Sequence, residues 1–344
     1  MFKKSKTSFA DLEISTRRQG NEDLSKINKL LDWEKVREKL LKSYPKKKSA
    51  SGRLAYCPLL LFKMLLLQRW YNLSDEQLES AVLDRLSFIN FLDLSISSDV
   101  PDATTICRFR KYLLKKGLLG ELLIIINEEL QVKAIEVKSG VLVDATIVSS
   151  SRRPKKSIIS KAKEAVEESE PEKAEVEYSS DKEASYTKKG GEILYGFKVH
   201  AATTSDNGFV LGGHVTTAST HETQELEQVV EEVSIEEGEE VYADKGYASR
   251  SNRSMLSKKK LKDCIMHKAS RGKPLTQEEK IKNKLISKDR YKVERLFGTL
   301  KRKYNYSRAR YLGIAKVELE FFLVSIAFNI RKVMRMIIDE PNTA

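Results

Sequence analysis

The sequence predicts two parts: an all-α N-terminal domain over residues 1–135, then an α/β domain over 138–338 built on a mixed five-stranded sheet with flanking helices. Three observations carry this. Up to about residue 135 the apolar residues recur at helical spacing without strand-like alternation. Beyond Gly140, short β-branched runs appear between glycine, serine and asparagine breaks. Finally, 344 residues is more than one small module needs, since a domain takes roughly 100–200.

The elements follow in order. Leu30, Leu31, Trp33, Val36, Leu40 and Leu41 fit a 3.6-residue period. Ser74 with Gln77 makes a capping box ahead of Leu78, Ala81, Val82 and Leu83. Pro101-Asp102 opens a helix from Ala103 to Lys116 that stops near Gly117, and Gly120 divides it from a last apolar helix, Glu121 to Leu130. The run Gly140 to Val148 is the first strand. A polar stretch from 149 to 191 reads as a mobile insertion at about 150–190; nine acids against two lysines fall between Glu164 and Glu183. Two strands follow, Ile193–Thr204 and Gly208–Ala218, joined by the hairpin-turn residues Ser205-Asp206-Asn207-Gly208. Ser219 with Glu222 caps a helix carrying Leu226, Val229, Val230 and Val233. Then come a strand (Glu240–Asp244), a basic helix (Ser251–Lys259) and a strand (Asp263–Met266). A long helix or helix pair covers Lys284 to Ile338, broken near Gly313. A hairpin-linked triplet followed by crossover-linked strands is the order of a ribonuclease-H-like domain.

Composition narrows function. Forty per cent hydrophobic residues exclude a wholly disordered chain, and 62 Lys and Arg against 49 Asp and Glu leave a formal charge of +13. The excess is concentrated: Lys245 to Arg310 holds 22 basic residues against five acids, so the remainder is slightly acidic. A basic concentration of that size calls for a polyanion, and phosphates are the usual one. Three dispersed cysteines argue against a disulfide scaffold and for a reducing compartment. No apolar run approaches the roughly 18–20 residues of a membrane span, and the lysine-rich start lacks an apolar segment behind it. A cytoplasmic, nucleoid-associated protein without membrane contact is expected.

Three carboxylates stand out. Asp144 interrupts the apolar strand Val-Leu-Val-Asp-Ala-Thr-Ile-Val, where an acid is costly unless paired or metal-bound. Asp244 ends a strand and runs into Lys245-Gly246-Tyr247, the kind of place where α/β sheets present ligand groups. Glu294 is the only acid between Asp289 and Glu318. Phosphodiester cleavage needs two divalent ions roughly 3.5–4 Å apart, and magnesium accepts carboxylate oxygens while keeping waters. Asp144 bridging, with Asp244 and Glu294 flanking, meets that need; for any one alone, an ordinary ion pair or cap serves equally. Arg290 and Lys301 share a helix face with Glu294, a pattern suited to a DNA backbone or to plain charge balance. None of the four histidines has metal-site spacing, Tyr304 and Tyr306 could serve as tyrosine-recombinase nucleophiles but read better as residues that stack or pack beside DNA, and no ATP-binding GxxxxGK[ST] occurs.

At this point the residues resemble a known family. Asp144-Ala145-Thr146, Tyr242-Ala243-Asp244-Lys245-Gly246-Tyr247 and the run Arg290 to Lys301 are similar to the DDE transposases of bacterial insertion sequences. Within these, the resemblance is to insertion-sequence family five, with its Tyr-x2-Arg-x3-Glu-x6-Lys signature. Arg290, Glu294 and Lys301 match that signature, while Ser287 stands at the tyrosine position. Thr187 to Gly190, Gly196 to His200, Thr216 to Glu222, Leu73 to Leu78 and Pro101 to Arg110 extend the likeness over about residues 55–332; His221-Glu222 replaces the family's usual His-Asp.

The resemblance implies a ribonuclease-H-like transposase with Asp144, Asp244 and Glu294 as catalytic metal ligands, and two Mg²⁺ or Mn²⁺ ions. Lys245, Arg290, Arg295, Lys301 and Arg302 become its DNA contacts. It implies strand cleavage and transfer at double-stranded element ends bearing terminal inverted repeats, with insertion into target DNA. The helical N-terminus is expected to bind those repeats or dimerise, within a homodimer or larger assembly. The alternatives are a non-catalytic DNA-binding derivative and a ribonuclease-H-like nuclease.

Overall fold

The computed structural model describes residues 22–44, 54–134, 140–154, 156–159, 175–178, 180–233 and 235–339. The N-terminal region is helical: α1 Glu22–Leu30, α2 Trp33–Ser43, α3 Pro58–Tyr71, α4 Asp75–Asp84, α5 Leu86–Phe91, α6 Ala103–Lys116 and α7 Leu118–Ala134. The Ser74/Gln77 capping box forms at the start of α4, and Asp102 caps α6 by accepting from the Thr105 N–H. Gly117 ends α6, but Gly120 breaks nothing. It lies inside α7, beside Phe322, where an added Cβ would meet the ring at an ordinary contact distance of 3.9 Å.

The second region is a mixed sheet with flanking helices. Its strands are β1 Val141–Ser149, β4 Ser185–Lys189, β5 Glu192–Thr204, β6 Val210–Thr217, β7 Glu240–Ala243 and β8 Lys262–Ile265, while β2 Lys156–Ile159 and β3 Glu175–Tyr178 form a separate two-stranded ribbon. The order is β4-β5-β1-β7-β8, with β6 also paired to β5. Six strands replace the five expected. The added one, β4, comes from the stretch read as an insertion and shares an edge of β5 with β6: β4 pairs Glu192 to Gly196, and β6 pairs Phe197 to Thr203. The ribbon also lies in that stretch; the acidic residues 160–174 fall outside the described residues. Pairing is antiparallel for β1, β4, β5 and β6, and parallel from β1 through β7 to β8. Gly208, at φ +64°, closes the β5–β6 turn in the left-handed region that glycine adopts without strain.

Helices cover both faces. Val141 and Val143 of β1 pack with α8 (Leu226–Glu232) and α9 (Arg250–Lys258). Leu142 and Val148, pointing the other way, join the core of α10 (Gln277–Lys303), α11 (Ile314–Asp339) and the N-terminal helices. α10 starts earlier than expected, at a Thr276/Glu279 capping box. The helix after β6 is entered differently as well: His221, not Ser219, caps a 3-10 turn, Glu222–Gln224, that precedes α8.

α11 is the junction. Trp70 donates to the Ala327 carbonyl at 2.9 Å, and buried Arg69 reaches buried Glu320 at 2.6 Å. One continuous core therefore runs from the N-terminal helices into the sheet. Among the described residues no helix is long and apolar enough to cross a membrane.

Candidate active site

Strand register brings the first two acids together. Val143 and Ala243 are paired in the parallel β1–β7 ladder, and the next residue of each strand is an aspartate, Asp144 and Asp244. Neighbouring strands lie about 4.8 Å apart, so the two carboxylates leave the sheet side by side. Asp144 shares the face of Leu142, towards α10. Its Oδ1 accepts from the Ala145 N–H at 2.8 Å, and the Asp244 Oδ1 accepts from the Lys245 N–H at 2.5 Å, which orients the first side chain within β1 and the second just past the end of β7.

α10 supplies the rest. Val293, Leu296, Phe297 and Leu300 are buried on one side of it, which carries Arg290 over Asp144 in β1 and the end of β7. The Arg290 guanidinium stands 3.1 Å from Asp144 Oδ2, 3.5 Å from Asp244 Oδ1 and 3.9 Å from Glu294 Oε1. The three acids expected to work together thus converge on one cation, although they lie 100 and then 50 residues apart in the chain. Arg290 is turned inward, with 12% of its side chain exposed, whereas Glu294 is 65% exposed at the rim. As placed, the carboxylates surround a guanidinium, and among the described residues no three acid, histidine or cysteine side chains are grouped to hold an ion. The donor set is nevertheless all carboxylate oxygen around a positive charge, which is the chemistry a hard divalent cation takes. Burial raises the pKa of Asp144 above its ordinary value, against the pull of Arg290 and the Ala145 N–H; the charge of Asp244 adds to the rise.

A polar layer underlies the acids that the sequence did not assign to the site. Tyr247, fully buried, meets His200 Nδ1 at 3.2 Å, and His200 Nε2 meets Thr216 at 3.2 Å. His200 stacks on His214 at 5.2 Å between ring centroids, and His214 is held by Glu225 at 2.7 Å with Glu232 at 3.6 Å. Burial, then the neighbouring His214, pushes His200 down to about 3. For His214 burial opposes protonation, but the two glutamates outweigh it and raise its pKa. Glu222 lies against Gly246, where an added Cβ would stand 2.0 Å from its Oε2, and pairs with Lys198 at 3.7 Å. Only the glycine after Asp244-Lys245 hinted at that close approach.

Of the basic residues expected at DNA, Lys245, Arg295 and Arg302 are exposed, Arg302 donating to its own helix at the Gly298 carbonyl. Lys301 is partly buried; burial and the nearby Lys189 lower its pKa.

The family model described as Transposase DDE domain matches residues 136–330, and Transposase domain (DUF772) matches residues 12–112. The transposase for insertion sequence element IS1106 of Neisseria meningitidis serogroup B is 38% identical over 229 residues, covering 65% of this chain and 76% of that one. The piggyBac transposase in a synaptic complex with hairpin DNA, solved by cryo-electron microscopy, aligns at TM-score 0.40 and 10% identity over 94% of this chain and 83% of its own. The chain belongs to the DDE transposases. Within them it is an insertion-sequence transposase, an enzyme that cleaves DNA and transfers the cut strand, and the domain it carries generally uses divalent metal ions.

Proposed function

We propose that Asp144, Asp244 and Glu294 are the catalytic carboxylates, in a ribonuclease-H-like core of the insertion-sequence family five type. The observation that carries this reading is their convergence within 3.9 Å of one guanidinium. Two Mg²⁺ or Mn²⁺ ions held by these three residues would supply Lewis-acid stabilisation of the phosphate and an activated water or 3′-hydroxyl. The chain's own part is positioning. The β1–β7 register holds two carboxylates as a pair, their backbone N–H contacts orient them, and Arg290 neutralises them and links them to Glu294 on α10. Lys245, Arg295, Lys301 and Arg302 bind DNA around the acids. Tyr291, the residue next to Arg290, takes the tyrosine role that Ser287 lacks. The substrates are element ends with terminal inverted repeats and a target duplex. The helical region 1–135 binds those repeats or pairs two copies, 138–338 carries catalysis, and the enzyme works on the cytoplasmic nucleoid as a homodimer or larger assembly.

The test is cleavage and strand transfer on element-end DNA with Mg²⁺ or Mn²⁺. Asp144→Asn and Asp244→Asn are each expected to lose at least a hundredfold in rate while still binding the DNA. Full activity in either variant sinks the assignment. Binding without cleavage by the unaltered chain favours a non-catalytic derivative, and cutting of RNA–DNA hybrids without strand transfer favours a nuclease.

A further inference from the structure

One ridge round α10 from Arg290 and Glu294, the residues Tyr291, Arg295, Thr299 and Lys303 follow at four-residue intervals. They line a cavity of about 420 Å³ between α10, α11 and the β5–β6 turn. Six of its lining side chains are cationic, namely Lys292, Arg295, Lys303, Arg331, Lys332 and Arg335; Asp206 is the one acid lining it among the described residues. Arg295, Lys303 and Arg335 are exposed and have no carboxylate partner among the described residues. Arg331 lies over Trp70 and Tyr71, 5.7 Å from each ring, and its buried Nε has no hydrogen-bond partner. Lys292 and Lys332 donate to carbonyls of the β5–β6 turn, at Ser205 and Asn207. Burial, and then the charge of Arg295, push the Lys332 ammonium down to about 8. Crowded cations of this kind are stabilised by an anion that sits among them.

We propose that this groove binds the phosphodiester backbone of double-stranded DNA, extending beyond the carboxylate site from Arg295, which both surfaces share, to Lys303 and Arg335. A lone phosphate needs only two or three donors. The ridge from Tyr291 to Lys303 is instead about 18 Å long at 1.5 Å per residue, and a DNA strand presents a phosphate about every 3.4 Å of axis, so the groove faces a run of phosphates. Because α10 carries both rows, a duplex lying in the groove is aligned relative to Glu294 by the same rigid helix. The inference rests on the DNA-cleaving reading only for the identity of the polyanion.

The experiment measures binding of the full chain to an arbitrary 30-base-pair duplex by fluorescence anisotropy, in chelator, between 50 and 200 mM salt. The pair Lys303→Gln/Arg335→Gln is expected to bind more weakly, with a log–log salt slope shallower by about 1–2, since each phosphate contact adds roughly 0.9. The charge-preserving pair Lys303→Arg/Arg335→Lys is expected to keep the slope. A Gln pair with unaltered affinity and slope overturns the proposal. So does a groove that responds only to inorganic phosphate, seen as phosphate-induced thermal stabilisation lost in the Gln pair while duplex binding is unchanged. Asp144→Asn cleavage assays run alongside keep the two readings apart: an unchanged slope with dead Asp144→Asn fails the groove alone, and a shallower slope with active Asp144→Asn fails the carboxylate assignment alone.

Discussion

His200 shows how a single buried side chain couples the site to acidity. Its ordinary pKa of about 6.5 falls to about 3 in the folded chain, so between those values the unfolded state binds the extra proton. Its contribution to stability is complete above the unfolded value and is lost as pH falls from about 6.5 towards 3. His214 acts with the opposite sign. Its raised pKa gives stability that is present below about 6.5 and lost as pH rises through the folded value. Between pH 7 and pH 5, chemical denaturation of the unaltered protein is expected to show a loss of up to about 1.4 kcal/mol per pH unit from His200, offset by the gain from His214. His200→Asn is expected to flatten that loss; an identical slope in the variant rules the effect out. The aspartates were legible as candidates, because an acid inside Val-Leu-Val-Asp is costly unless paired or metal-bound. The inward turn of Arg290 was not. Spacing places it on the Glu294 face, but only the packing of α10 across β1 and β7 aims it at the acids and not at solvent.

At the scale of elements, the turn Asp244-Lys245-Gly246-Tyr247 works because glycine leaves room for Glu222. Gly246→Ala forces that carboxylate away from Lys198 and is expected to destabilise the protein by about 1–3 kcal/mol and to slow cleavage. Gly246→Ala combined with Glu222→Ala is expected to recover most of the stability in urea melts. A double variant as unstable as the single one contradicts the contact. β7, β8 and the hairpin were readable from β-branched runs and turn residues. β4 was not, since Ser-Tyr-Thr-Lys-Lys is an edge strand with largely exposed side chains and carries no apolar signal. The start of α10 escaped for a similar reason: its first turns are charged and mostly exposed, and the Thr276/Glu279 box was the only mark of their helicity.

At the scale of the molecule, the division into a helical part and a sheet part was visible in the change of periodicity, but their common core was not. Nothing local in Ile314–Asp339 says that it will insert against both. The Arg69–Glu320 pair, both members almost wholly buried, ties the two regions together across 251 residues of chain. Arg69→Met leaves Glu320 buried with, among the described residues, Arg310 as its remaining cation, and is expected to cost about 3–5 kcal/mol, with Arg69→Met/Glu320→Leu regaining most of it. Scanning calorimetry checks both variants, and an Arg69→Met chain that melts like the parent refutes the claim.

The late arrival of that helix also bears on synthesis. At roughly 5–20 residues per second, a ribosome needs on the order of 13–50 s to travel from Arg69 to Glu320. Until then the N-terminal helices lack the helix that completes their core. A product cut off before residue 314 would lack the helix that packs against both halves, and is expected to leave their shared core unfilled.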